Sequence, residues 1–202
     1  MPTHAKTGTM NAPLRKSWTQ EEFFSWAERQ ETRYEFDGFE PVAMTGGTNV
    51  HSEIGVNLLA SLKSRLKDGR CKPLGSDAGV ATVGTTIRYP DALVTCTRYD
   101  PRARTVPGVV VIFEVLSPTS GFIDHVVKVR EYAEVPSIQR YVIMESTAIG
   151  LQVLERASSD QSWQTTALTN GDTLRIPELG IEIPVAEIYD GVEFTNQDNP
   201  ET

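Results

Sequence analysis

Residues 109–116 read Val-Val-Val-Ile-Phe-Glu-Val-Leu, an apolar run with one acid set just before its end. A short run that is apolar at both odd and even positions marks a strand covered on both faces, in the interior of a sheet. Such a strand must have another layer on each side, which restricts the chain to sheet-containing layered folds. Period-2 alternation puts Glu114 on one face with Val110, Ile112 and Leu116, close to the strand's C-terminal edge. An ionised carboxylate taken out of water is costly unless a cation, a proton or a metal accompanies it. Open α/β sheets also hold their ligands at such strand ends. Glu114 is therefore either half of a structural ion pair or part of a site.

Around this strand the pattern alternates between helix and strand. Thr19-Gln-Glu-Glu ahead of Phe23 opens a capped amphipathic helix. Arg33 to Met44 reads as two short strands about Asp37-Gly38, a strong hairpin signal. Thr48 or Asn49 caps a helix to about Lys67, with Ile54, Leu58, Leu59, Leu62 and Leu66 in one stripe. Strand-like sequence fills Gly79 to Cys96. A helix is expected from about Gly121 to Glu134, with Phe122, Val126, Val129 and Ala133 on one side. Gln139–Glu145 and Gly150–Ala157 read as strands joined by a turn, and the last third as short strands and turns. With no repeat or linker, this order predicts one α/β domain with a mixed sheet. A flexible arm over 1–17 precedes the domain at 18–186, and an acidic tail follows over 187–202.

The 202 residues suffice for one domain with a sizeable core. No apolar stretch approaches the roughly 20 residues of a membrane span. The first seventeen residues carry Lys6, Arg15 and Lys16 but no apolar segment, which argues against a secretory signal. Cys71 and Cys96 are too few for a disulfide framework or a zinc site and suit a reduced cytoplasm.

The net charge of -8 argues against a protein that grips nucleic acid over its whole surface. The tail from Glu187 holds five acids and no cation, yet the rest of the chain stays acidic without it. Any nucleic-acid surface must then be a local patch. Lys63 to Lys72, with five cations against one acid, is one candidate and otherwise a solvated helix end. Arg98, Arg102 and Arg104 are another, on a loop that would overhang a site at the strand ends and meet backbone phosphates.

A second acid, Asp91, follows Pro90, which cannot donate to a ladder and so sits at a strand end, bulge or edge. Alone it reads as a turn residue. If its strand neighbours that of Glu114, the strand spacing of about 4.8 Å lets the two carboxylates share a cation. An all-oxygen pair favours Mg²⁺ or Mn²⁺ over zinc.

Pro90-Asp91, then Glu114-Val-Leu-Ser-Pro on the next strong strand, then Asp124, Lys128 and Tyr132 on a helix resemble the Uma-type restriction endonuclease family. That family belongs to the PD-(D/E)XK nuclease-like superfamily. The Arg33–Met44 hairpin and a helix opening with His51 resemble its N-terminal half, so the likeness spans roughly Glu21 to Ile149. It implies a restriction endonuclease-like core: a mixed central sheet flanked by helices, here with extra C-terminal strands. It also implies metal-dependent hydrolysis of nucleic-acid phosphodiesters, with DNA as the expected partner. Asp91 and Glu114 would hold the metal, which lowers the pKa of an attacking water. A lysine would orient that water or stabilise phosphate charge in the transition state. Glu35 would stand near the metal and His51 near the phosphate.

One position departs from the family pattern. The basic motif keeps its lysine two residues after the second acid, and Leu116 stands there. Lys128 is the substitute, on one helical face with Asp124 and Tyr132; it serves only if that face borders the sheet edge. Ordinary roles compete: Lys128 as a solvated cation paired with Asp124, His51 as a capping or packing residue, Glu35 as a surface acid. The alternative function is a non-cleaving nucleic-acid-binding or interaction protein on the same fold. A homodimer would suit cutting two strands, by analogy.

Overall fold

A computed structural model of the chain describes residues 18–116 and 122–194. The arm at 1–17, Asp198 and Glu201 of the tail, and the side chain of Asp124 lie outside the described residues. In chain order the first elements are α1 (Gln20–Ala27), β1 (Tyr34–Phe36), β2 (Pro41–Ala43), α2 (Asn49–Leu66) and β3 (Lys72–Gly75). There follow β4 (Val80–Ala81), β5 (Ile87–Arg88), β6 (Ala92–Thr95), β7 (Val109–Val115), α3 (Phe122–Ala133) and β8 (Arg140–Met144). The last are β9 (Leu151–Glu155), β10 (Gln164–Leu168), β11 (Thr173–Ile176), β12 (Ile181–Pro184) and α4 (Val185–Ile188).

The apolar run becomes β7, an interior strand of a six-stranded mixed sheet ordered β10-β9-β8-β7-β6-β3. β7 runs antiparallel to β6 and parallel to β8, with α3 in the crossover between β7 and β8. Two cores cover its faces, as a strand apolar on both sides requires. On one face Val111 and Phe113 pack with Ile54, Leu58 and Leu62 of α2 and with Ile183 and Ile188 of the C-terminal elements. On the other, Leu93 and Ile112 pack with Tyr132, Ile138, Tyr141 and Ile143. Each fully buried Leu or Ile contributes about 1.5–3 kcal/mol, so the two cores dominate the stability of the layers.

Local signals account for the helix starts and the hairpin. Thr19 caps α1 in a full capping box with Glu22. Thr48 caps α2, its Oγ1 accepting from His51 N–H at 3.2 Å. Between β1 and β2, Asp37 Oδ1 accepts from the N–H groups of Phe39 and Glu40, both at 2.8 Å. Gly38 takes φ +91° there, a conformation that favours glycine. β2, β1, β5 and β4 form a second sheet of four strands. Phe23 of α1 stacks on Phe36 of β1 with ring centroids 5.0 Å apart, sealing a third small core with Ile87.

Two expectations change. Cys71 and Cys96 form a disulfide, S–S 1.98 Å, where free thiols were expected. Extending the Lys72↔Thr95 register by one step places the two cysteines opposite each other, a pairing that exists only once β3 and β6 are laid side by side. The fold also runs past residue 186. Ile188 and Tyr189 are buried, Val192 and Phe194 pack on the same core, and Glu187 takes a two-point contact from Arg65 at 2.7 Å. Among the described residues no helix is long and apolar enough to cross a membrane.

Candidate active site

β6 and β7 bring the two acids together. Ala92 pairs with Phe113 in the antiparallel ladder, so one further step sets Asp91 opposite Glu114. Asp91 Oδ2 accepts from the backbone N–H of Val115 at 2.7 Å, which holds its carboxylate at the end of β7. Its Oδ1 lies 2.9 Å from His51 Nε2, in the first turn of α2. That hydrogen bond raises the pKa of His51 above its ordinary value, against the effect of burial.

Glu114 projects toward α3. Its Oε1 accepts from the Tyr132 hydroxyl at 2.9 Å, and its Oε2 lies 3.3 Å from Lys128 Nζ. The face of α3 that carries Lys128 and Tyr132 thus borders the sheet edge, and the ammonium reaches the acid. Glu114 is only 9% exposed. Burial raises its pKa; the ammonium of Lys128 pulls the other way, and the charges of Glu35 and Asp91 add to the rise. Burial also drives the Tyr132 hydroxyl well above its ordinary pKa, helped by the charge of Glu114, so it stays a donor.

Glu35 enters from the four-stranded sheet. Its Oε1 accepts from Tyr89 N–H at 3.0 Å and stands 3.7 Å from Lys128 Nζ; its Oε2 accepts from Arg88 Nη1 at 3.0 Å. Arg88 grips Glu131 of α3 with two parallel bonds of 2.6 and 2.8 Å. Burial disfavours the charged guanidinium, but its bonds to Glu131 and Glu35 outweigh that cost and its pKa is raised.

Glu35, His51, Asp91, Glu114 and Lys128 all line one cleft of about 1290 Å³. The loop arginines divide. Arg104 lines this cleft, paired with Glu28 and lying 5.5 Å over the Phe24 ring. Arg98 lines a separate smaller pocket, and Arg102 lines neither. Arg88, Glu131 and the hydrogen-bonding role of Tyr132 were missed in the sequence. One signal was available: Lys128, Glu131 and Tyr132 stand at i, i+3 and i+4, a single helical face.

The Uma2 family, described as "Putative restriction endonuclease", matches residues 20–186. The chain belongs to the Uma2 family. The Synechocystis sp. protein "Uncharacterized protein slr1290" is 34% identical over 191 residues, 91% of this chain and 97% of that protein. A crystal structure of "a putative nuclease belonging to DUF820" from Anabaena variabilis superposes with a TM-score of 0.68 over 85% of this Uma2 chain and 97% of that one. At 14% identity this likeness concerns the fold alone, and it agrees with the restriction endonuclease-like α/β core expected from the sequence. The Uma2 chain is thus nuclease-like in family and fold.

Asp91 and Glu114 supply oxygen donors of the kind that suit hard cations such as Mg²⁺ or Mn²⁺. Among the described residues no three or more His, Cys, Asp and Glu side chains are grouped as metal ligands. A pair of carboxylates fits Mg²⁺, which keeps several waters and takes one or two carboxylates from a protein. It does not fit a structural zinc site of four protein ligands.

Proposed function

We propose that this Uma2 family chain hydrolyses phosphodiester bonds of DNA, with Mg²⁺ or Mn²⁺ held by Asp91 and Glu114 and with Lys128 as the assisting cation. The observation that carries this reading is the meeting of Asp91, Glu114 and Lys128 on one cleft, with Lys128 Nζ 3.3 Å from Glu114 Oε2. A divalent cation, when bound, supplies Lewis acidity toward a phosphate oxygen and a lower pKa for the attacking water.

The chain's own residues do the rest. Val115 N–H and His51 orient Asp91, and Tyr132 orients Glu114. Lys128 offers a positive charge where negative charge grows on the phosphate in the transition state. His51, bonded to Asp91 through Nε2, adds a positive charge beside the cleft when protonated. Arg104, at the wall of the cleft, suits contact with a flanking phosphate. A symmetric dimer would present two such clefts to two strands.

The test is cleavage of supercoiled and single-stranded DNA with Mg²⁺ or Mn²⁺, beside the Asp91→Ala variant. Cleavage by the wild type that disappears in Asp91→Ala supports the reading; cleavage that survives the substitution rejects it. A second reading, a non-cleaving nucleic-acid-binding protein on this fold, is favoured by one observation. The Lys128 ammonium already stands between Glu114 and Glu35 as a counterion. DNA binding without cleavage under both metals would select it.

A further inference from the structure

The polar contacts of the cleft close into a ring through the four- and six-stranded sheets and one helix. Glu114 on β7 meets Lys128 and Tyr132 on α3, Lys128 meets Glu35 on β1, and Glu35 meets Arg88 on β5. Arg88 then returns to α3 through Glu131. Acid and base alternate around the ring, and the Arg88 side chain is only 5% exposed.

A lysine two residues after Glu114 would be placed by the β7 ladder itself. Lys128 has no such ladder: it rides on a helix, at the end of a flexible four-carbon stem. Its distance from Glu114 therefore depends on how α3 is seated and on what else competes for its charge. Glu35 is one competitor, at 3.7 Å against 3.3 Å for Glu114. Arg88 draws on that competitor by bonding Glu35 at 3.0 Å. Its planar fork also seats Glu131, three residues beyond Lys128 on the same helix, in a way a point charge does not reproduce.

Resting on the hydrolase reading above, we propose that Arg88 is a positioning residue: clamped by Glu131 and holding Glu35, it keeps the α3 face and the Lys128 ammonium beside Glu114. Without Arg88, buried Glu35 and half-buried Glu131 lose the guanidinium between them, and Lys128 is drawn from Glu114 toward Glu35.

The experiment compares the full chain with Arg88→Gln and Arg88→Lys, using Leu58→Ala as a control destabilised on the opposite face of the sheet. Amide hydrogen exchange over residues 125–133 is followed together with kcat and KM for DNA cleavage. Arg88→Gln is expected to lower kcat about tenfold to hundredfold, the usual loss when a supporting partner is removed from a site. KM should stay within about twofold, the pattern of an interaction made in the transition state. Exchange in α3 should quicken in Arg88→Gln but not in the control, and Arg88→Lys should recover part of both changes. If Arg88→Gln does not fold, Arg88→Lys alone decides by the same readouts. An unchanged kcat, a change in KM alone, or α3 exchange no faster than in Leu58→Ala would overturn the proposal. A wild type that cleaves no DNA would reject the hydrolase reading, and α3 exchange would still decide whether Arg88 seats the helix.

Discussion

Lys128 Nζ lies 3.3 Å from Glu114 Oε2, although fourteen positions separate the two residues and they sit on different elements. The ammonium opposes burial, which raises the pKa of Glu114. Under the proposed function a divalent cation would draw on the same carboxylate, and lysine and metal would compete for Glu114.

Replacing Lys128 with methionine is accordingly expected to have opposite effects on binding and catalysis. Cleavage should fall about a hundredfold or more, as when other groups that stabilise transition-state charge are removed. Mn²⁺ should bind more tightly, because Glu114 is released from its internal partner. Electron paramagnetic resonance of free Mn²⁺ during titration measures this directly, and weaker binding than in the wild type would refute the competition.

The disulfide joins residues 25 positions apart, at the end of β6 away from Asp91. Closing a loop of that length is worth about 3.5 kcal/mol in the chain-entropy account. Cys71→Ser with Cys96→Ser should therefore lower stability by about 2–4 kcal/mol in urea unfolding. Reduction should do the same to the wild type and nothing to the double variant. Equal stability with and without reductant would mean that the crosslink does not form in solution.

His51 should make stability depend on pH. Its pKa is raised in the folded protein by the hydrogen bond to Asp91, above the ordinary 6.5. A raised folded pKa means that the native state binds the proton more tightly, so this contribution is fully present below pH 6.5 and is lost as pH rises through the folded value. Wild type should therefore exceed His51→Gln in stability at pH 5.5 by more than at pH 8.5, about one unit below and two above that ordinary value. Denaturant unfolding at the two pH values checks this; a gap that widens with pH would contradict it.

Ending the chain after residue 186 should cost far more than removing a tail. Ile188 is fully buried, Tyr189 donates from its hydroxyl to the backbone carbonyls of Glu145 and Gly150, and Arg65 would lose Glu187. The Ile188 side chain alone represents about 1.5–3 kcal/mol. Truncation after 186 should give a markedly lower melting temperature than truncation after 194. Circular dichroism melts separate the two.

Much of this fold could be read one segment at a time. An apolar run made 109–116 a covered strand, a 3.6-residue stripe made Ile54, Leu58, Leu62 and Leu66 the buried side of α2, and Asp37-Gly38 marked the hairpin. Such features depend on which local positions are apolar, and burial then enforces them. The tail was misjudged by the same logic: its acids masked Ile188 and Tyr189, whose burial depends on a surface that α2 supplies.

The candidate site was only partly legible. The types and order of Asp91, Glu114, Lys128, Glu35 and His51 marked them as a set, while Arg88 and Glu131 looked like ordinary charges. Only the tertiary structure paired Cys71 with Cys96, put Asp91 opposite Glu114 and set Arg88 between Glu35 and Glu131. The reason is physical. A side chain's periodicity is a property of its own segment, whereas an ion pair or a disulfide needs two distant segments within a few ångströms. Strand register and the seating of α3 decide that distance, and both follow from the packing of the whole core.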